Sequence, residues 1–307
     1  MACRFEILLD SEDAPLVPVA RTALDEIDRI EAALTYFRAT SELSHVNREA
    51  ASGPVVVSPE LFALLHLCGE IHRQSSGAFD PTSAPLSRAW GFLAREGRLP
   101  GPPEVAEARA AVGWSHVELD PVRRTVRFAR EGLELNLGSI GKGWALDRVT
   151  AGLKAGGATR ALVSAGGSSQ RAWGRSPWEV ALTSSGETLA SLRLRDAALG
   201  TSGAGEQHFE VAGRSYGHLI DPRSGWPAEG VRSATAISGD AAVADALATA
   251  FFVGGPDVAA SVCATRPGTL AILALAAEPG TLRVIGEREG VGIEPARGIA
   301  LRHEVRE

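Results

Sequence analysis

The chain has 307 residues, of which 45% are hydrophobic and 22% charged, an ordinary balance for a globular protein of one large or two average domains. A net charge of −6 without a long basic run excludes a nucleic-acid groove as the organising feature. Three scattered cysteines (Cys3, Cys68, Cys263) argue against a disulfide framework or a zinc site, and no apolar run reads as the ~20 residues of a membrane span.

Taken in order, Phe5, Ile7 and Leu9 alternate as in a first strand. Helical spacing follows over residues 17–37, with Val19, Ala23, Ile27, Ile30 and Leu34 on one face. Residues 37–44 read as a polar turn and 47–54 as a loop. Ser58-Pro59-Glu60 supplies an N-cap, a first-turn proline and an acid, which predicts a helix through Leu61, Leu64, Leu65 and Cys68. Asp80-Pro81-Thr82 is turn chemistry. A short helix around Pro85, Leu86 and Trp90 should then run into a loop at Gly91-Phe92. Residues 98–103 read as a linker, 104–112 as a small helix, and 117–119 with 126–128 as a hairpin about Asp120-Pro121.

The central stretch is residues 133–149. Leu133, Leu135 and Leu137 alternate like a half-buried strand. Gly138, Gly141 and Gly143 follow, and Ala145, Leu146, Val149 and Leu153 then recur at helical spacing up to Gly156-Gly157. Such a turn aims backbone N–H groups and a positive helix end at one point, with Lys142 adding a charge. The spacing matches neither a Walker loop nor the Rossmann GxGxxG, so a phosphate cradle and a plain strand-to-helix corner both fit the residues alone.

Beyond it, residues 161–164 predict a buried strand ending at Gly166-Gly167-Ser168. Strands are expected at 179–182, 189–194 and 197–200, with a turn at Thr201-Ser202-Gly203. Residues 209–211 and 215–220 should form a hairpin about Gly213, before a turn at 221–225. A strand over 234–238 leads to a helix over 241–253 capped by Asp240 and ended by Gly254-Gly255, then a helix over 258–265 and strands over 270–275 and 281–285. Hairpins mixed with helices, without a βαβ series, indicate an α+β fold of largely antiparallel sheets with packed helices.

Two positions carry chemistry. Asp245 is the one charged residue after the cap of the apolar helix AAVADALATAFFV, and Thr249 lies four residues on, on the same face. A carboxylate among Ala, Val, Leu and Phe is costly unless paired. Two oxygens on one turn suit a hard cation such as Mg²⁺, and an acid in the first turns also answers the helix dipole. His218, before the turn Asp221-Pro222, is placed for a general base or for a structural contact. The other histidines have no suggestive neighbours.

The order of the short motifs resembles the ApbE family of FAD:protein FMN transferases. The matching stretches are Ser41-Glu42-Leu43-Ser44 with Asn47, Ala78-Phe79-Asp80-Pro81-Thr82 with Trp90-Gly91-Phe92, and Leu135-Asn136-Leu137-Gly138-Ser139-Ile140-Gly141-Lys142-Gly143. They continue with Gly166-Gly167, Thr201-Ser202-Gly203, His218 to Gly225, and Ala244 to Ala250. The resemblance implies one domain over residues 1–307 holding FAD in a cleft, and Mg²⁺-dependent transfer of FMN to a Thr or Ser hydroxyl of a target protein with release of AMP. It places Mg²⁺ on Asp245, Thr249 and the backbone carbonyl of Ser139. It places FAD against Met1, Phe37, Ala78, Phe79, Asp80, Asn136, Lys142 and Ile220, with His218 beside the phosphates. His218 and Asp245 are the implied catalytic pair.

Three positions and one stretch depart from the family pattern: Asn136 replaces a usual Asp, Ser168 an acid or Asn, Phe37 a frequent Tyr, and Glu206-Gln207-His208 a usually arginine-containing stretch. Hydrolysis of FAD to FMN and AMP, or storage of FAD without catalysis, are the alternative activities. No apolar leader precedes Cys3, so the expected compartment is the cytoplasm.

Overall fold

Period-two alternation builds an eight-stranded sheet whose strands stand side by side in chain order. In the computed structural model, which describes residues 3–205 and 207–304, these are β1 (Phe5–Leu9), β2 (Ala161–Ala165), β3 (Ser169–Trp173), β4 (Ala197–Gly203), β5 (Val231–Ser238), β6 (Leu270–Leu275), β7 (Thr281–Gly286) and β8 (Ala300–Glu304). Neighbours are antiparallel except β7 and β8, which run parallel. Successive residues serve opposite cores. Leu162 and Leu199 pack with Val180, Leu182 and Leu192 of a second sheet (Trp178–Ser184, Glu187–Leu194, Val291–Pro295). Val163 and Ala198 pack with helices on the other side.

The helices are α1 (Val17–Leu34), α2 (Glu42–Glu49), α3 (Pro59–Gln74), α4 (Ala84–Ala89), α5 (Pro102–Ala110), α6 (Gly141–Ala155) and α7 (Ala241–Thr265). α7 has the length of a membrane-crossing helix and a mean hydropathy of 1.5. Its first part, 241–252, is instead buried against α6, α3 and the main sheet, as in a core helix, while much of 253–265 is partly exposed.

Several expectations are corrected by tertiary contacts. Residues 37–54 are not all turn and loop: the Ser41 hydroxyl caps α2 by accepting from Ser44 N at 3.0 Å, and α2 buries Leu43 and Val46. α1 stops at Leu34, three residues before its expected end, because Thr35 turns extended. Residues 133–137 are extended with alternating burial but join no sheet, because single residues replace the ladder. The Asn47 side chain accepts from Leu135 N at 2.8 Å and donates to Leu135 O at 2.9 Å, and Asn136 N donates to Pro81 O. Thr201-Ser202-Gly203 continues β4 against β5 and is not a turn. The expected strand over 215–220 breaks at His218 into Arg214–Gly217 and Ile220–Asp221, each with its own partner.

Asp240 makes no side-chain cap of α7. Asp147 of α6 does so from outside, accepting from Ala241 N and Ala242 N at 2.9 Å each, so two orphan amides are satisfied where a local cap would satisfy one. As expected, the helical run over 241–265 is two helices, broken at Gly255, whose φ of 66° and ψ of −160° are not helical, just before Pro256.

Candidate active site

α6, α7 and the extended segment 133–137 converge on two adjoining cavities that share Leu93 and Asn136. The smaller, about 200 Å³, is lined by Ala78, Phe79, Asp80, Asn136, Ser139, His218, Ile220 and Thr249, all of which the sequence marks for the site. The larger, about 900 Å³, is lined by Phe37, Asn136 and Lys142 together with Tyr36, Arg38 and Arg95. Met1 lies outside the described residues.

Asp245 sits behind this wall, 4% exposed. Its carboxylate is not isolated: Oδ2 accepts from Gly143 N at 3.1 Å, Oδ1 accepts from Ser169 Oγ at 2.8 Å, and Lys142 Nζ is 3.3 Å from Oδ1. The turn's Gly143 amide therefore meets a protein carboxylate, which narrows the phosphate cradle expected at 138–143. Two glycines allow the arrangement. A Cβ on Gly143 would lie 2.1 Å from the Ala241 carbonyl oxygen, and one on Gly200 2.6 Å from that of Ala244. Only bare backbone lets α6 and β4 approach α7 this closely. One turn on from Asp245, Thr249 Oγ1 lies 3.3 Å from Ser202 Oγ.

His218 is fixed by its own strand break. Its backbone N–H and ring Nδ1 both face the Gln207 carbonyl, at 3.0 and 3.1 Å. A carbonyl only accepts, so Nδ1 carries the proton and Nε2 is the basic nitrogen of the neutral ring. Phe92 meets the ring edge-on, with centroids 6.4 Å apart. An aromatic cluster of Trp90, Phe92, Phe209 and Tyr216 holds this corner, pinned by Trp90 Nε1 donating to Gly225 O at 2.9 Å.

Asp80 lines the cavity but spends its carboxylate on the loop. It accepts from Thr82 N, Thr82 Oγ1 and Trp114 N, and His72 Nδ1 lies 3.4 Å away. His72 is thus tied to the site loop, contrary to the reading that only His218 among the histidines has suggestive neighbours. Asn136 folds back to accept from Gly138 N at 2.9 Å.

Sequence reasoning misses Ser169, and it misses a pin at the larger cavity. The Tyr36 hydroxyl donates to Glu134 at 2.5 Å and accepts from Arg88 at 2.6 Å, while Arg88 pairs with Glu134. Burial and the Glu134 carboxylate push the Tyr36 phenol above its usual range. Tyr36 supports Phe37 edge-on, leaving the Phe37 ring 72% exposed at the cavity wall. These partners come from three separate segments, so no local pattern announces them.

Thr249 and Ser139 line the same cavity, Ser202 lies against Thr249, and Asp245 is one helical turn away, so the donors on offer are all oxygens, the chemistry of a hard cation. Among the described residues no group of three His, Cys, Asp or Glu side chains gathers. Mg²⁺, which keeps waters and substrate phosphates as ligands beside one or two carboxylates, fits such a set better than zinc.

A family profile described as ApbE family matches residues 1–274. The FAD:protein FMN transferase of Treponema pallidum is 30% identical over 291 residues, covering 88% of this chain and 80% of that protein. That of Rhodobacter capsulatus is 35% identical over 231 residues, covering 71% of this chain but only 43% of that longer protein. Among solved structures, the ApbE protein of Thermotoga maritima superposes with a TM-score of 0.81 at 29% identity, over 95% of this chain and 93% of that one. The apo flavinyl transferase ApbE of Pseudomonas stutzeri gives 0.77 at 26% identity, over 96% and 95%.

Proposed function

Because the chain belongs to the ApbE family, we propose that it transfers FMN from FAD to a Thr or Ser hydroxyl of a target protein and releases AMP. One observation carries this reading: six residues drawn from distant parts of the chain and marked for the flavin nucleotide line a single cavity, together with Ser139 and Thr249, which are marked for the metal. The larger cavity beside it has the volume and the exposed aromatic wall for the rest of a dinucleotide.

The reaction breaks the P–O bond between the FMN phosphorus and the oxygen bridging to AMP, and forms a bond from the acceptor oxygen to that phosphorus. The acceptor proton goes to Nε2 of His218, whose Nδ1 proton is fixed by the Gln207 carbonyl. Lys142 supplies positive charge where the pyrophosphate gathers negative charge, and the Asp245 carboxylate holds that lysine in place. Asp245, Thr249 and the Ser139 carbonyl are the groups to hold Mg²⁺. When bound, the ion would neutralise charge on the phosphoryl oxygens and the departing AMP.

The test is incubation of the protein with FAD, with and without Mg²⁺ and an acceptor protein, read by intact mass of the acceptor and by AMP release. Covalent addition of FMN with equimolar AMP is expected. AMP release unaffected by the acceptor, with no mass gain, would assign FAD hydrolysis instead, and binding without AMP would assign storage.

A further inference from the structure

The second sheet covers only part of the main sheet, and beside its edge lies a groove of about 590 Å³. Its floor is the face of the main sheet where that cover ends, from the buried Leu162 and Ser164 to the exposed Leu8. Its wall is the run of residues 180–185 along and just beyond the strand Trp178–Ser184. Among the described residues that strand pairs only with Glu187–Leu194, so its other edge carries unpaired backbone groups facing the groove. Gly166 and Ser168 line both this groove and the larger cavity. Ser169, the next residue, donates to Asp245. The groove therefore meets the larger cavity, which Lys142 also lines, at its Gly166–Ser168 end. Glu6 is the one ionisable residue among its described lining.

Resting on the transferase reading above, we infer that this groove receives the acceptor segment of the target protein, as an extended strand added to the edge of Trp178–Ser184. A seven-residue strand spans ~23 Å, enough to run along the groove with its hydroxyl-bearing residue at the Gly166–Ser168 end. Main-chain bonds to the edge would supply affinity. With Glu6 its one ionisable group among the described residues, the lining favours uncharged side chains around the acceptor Thr or Ser.

The test uses the whole protein with FAD, Mg²⁺ and a set of nine-residue peptides, each with one central Thr flanked by Gly, Ala, Ser or Val. FMN addition is read by mass, and the best acceptor is then used in hydrogen exchange. The amides of residues 178–184 should gain protection when that peptide is added. Thr183→Arg and Leu8→Arg, which place a long charged chain in the groove, should raise KM for the peptide about tenfold or more. Both variants should leave peptide-independent AMP release from FAD unchanged. Unchanged KM in both variants, or absent protection, would overturn the inference. So would FAD cleavage by the wild type without transfer to any peptide. Protection that instead grows with protein concentration alone would give the edge to a second copy of the chain. Failure of the wild type to release AMP under any condition would overturn the transferase reading itself.

Discussion

On the proposed reading two residues carry most of the chemistry, and each makes a distinct prediction. Asp245 holds Lys142 at 3.3 Å and also fixes Gly143 and Ser169. Asp245→Asn keeps an acceptor for these donors but removes the charge. The variant should fold and lose about 10²–10³-fold in Mg²⁺-stimulated AMP release from FAD, the scale of losing one preorganised electrostatic group. Normal Mg²⁺-stimulated cleavage by the folded variant would end the metal assignment. His218→Ala should slow transfer to a protein hydroxyl by roughly 10²–10⁴-fold with FAD binding retained, since the base contributes to proton removal and not to holding the nucleotide. Its rate-versus-pH profile should also lose the acidic limb attributed to the imidazole. A mutant with the wild-type rate and the same limb would make His218 structural. Both residues stand out in the sequence as chemistry in an unusual setting. Ser169, Tyr36 and Glu134 do not, because their importance lies in what faces them.

At the scale of elements, close approach and capping decide the site. Gly143→Ala gains about 1 kcal/mol of helix propensity. It also drives a methyl to 2.1 Å from backbone at Ala241, which cannot move without shifting α7. Overpacking of this kind typically costs about 1–3 kcal/mol, so the clash should win. A lower midpoint in denaturant melts, together with weaker FAD cleavage through the displaced Asp245, is expected. The start of β2 is tied down by Asp13, whose carboxylate accepts from Thr159 N at 2.8 Å and Arg160 N at 3.1 Å. These bonds, that of Thr159 first, hold its carboxyl below the usual range. A lowered folded pKa gives stability that is complete above the unfolded value of about 3.9 and is lost as pH falls through the folded value. Asp13→Asn should therefore melt below the wild type at pH 7, and the gap should narrow as pH drops below about 4. A gap constant in pH would refute the ionised role. Helices with a strong stripe, such as α1, or with a stripe and a Ser cap, such as α3, are legible in the sequence. α2 is not, because its short span is set by the Ser41 cap and by burial of Leu43 and Val46.

Across the whole molecule, the cleft draws on segments from residue 3 to residue 249, so a nucleotide bound there ties many elements together. FAD at about 100 times its Kd should stabilise the fold by about 2.7 kcal/mol and raise Tm by several degrees. A thermal shift assay checks this, and no shift at saturating FAD would count against the cleft as its site. The sequence alone determined the α+β class, most strands, the apolar helix carrying Asp245 and Thr249, and the residues that gather at the smaller cavity. These rest on local period, turn chemistry and short ordered motifs, which act within a few residues. Only the tertiary structure decided that residues 133–137 stay outside the sheet, that Asp147 rather than Asp240 caps α7, and that Lys142, Gly143 and Ser169 meet on Asp245. Those outcomes depend on pairings between residues 76 to 102 positions apart for the carboxylate's bonds to Ser169 and Gly143, and 94 and 95 apart for the cap. A buried carboxylate or an orphan amide takes whichever partner the packed neighbours deliver, and no local pattern records which one that is.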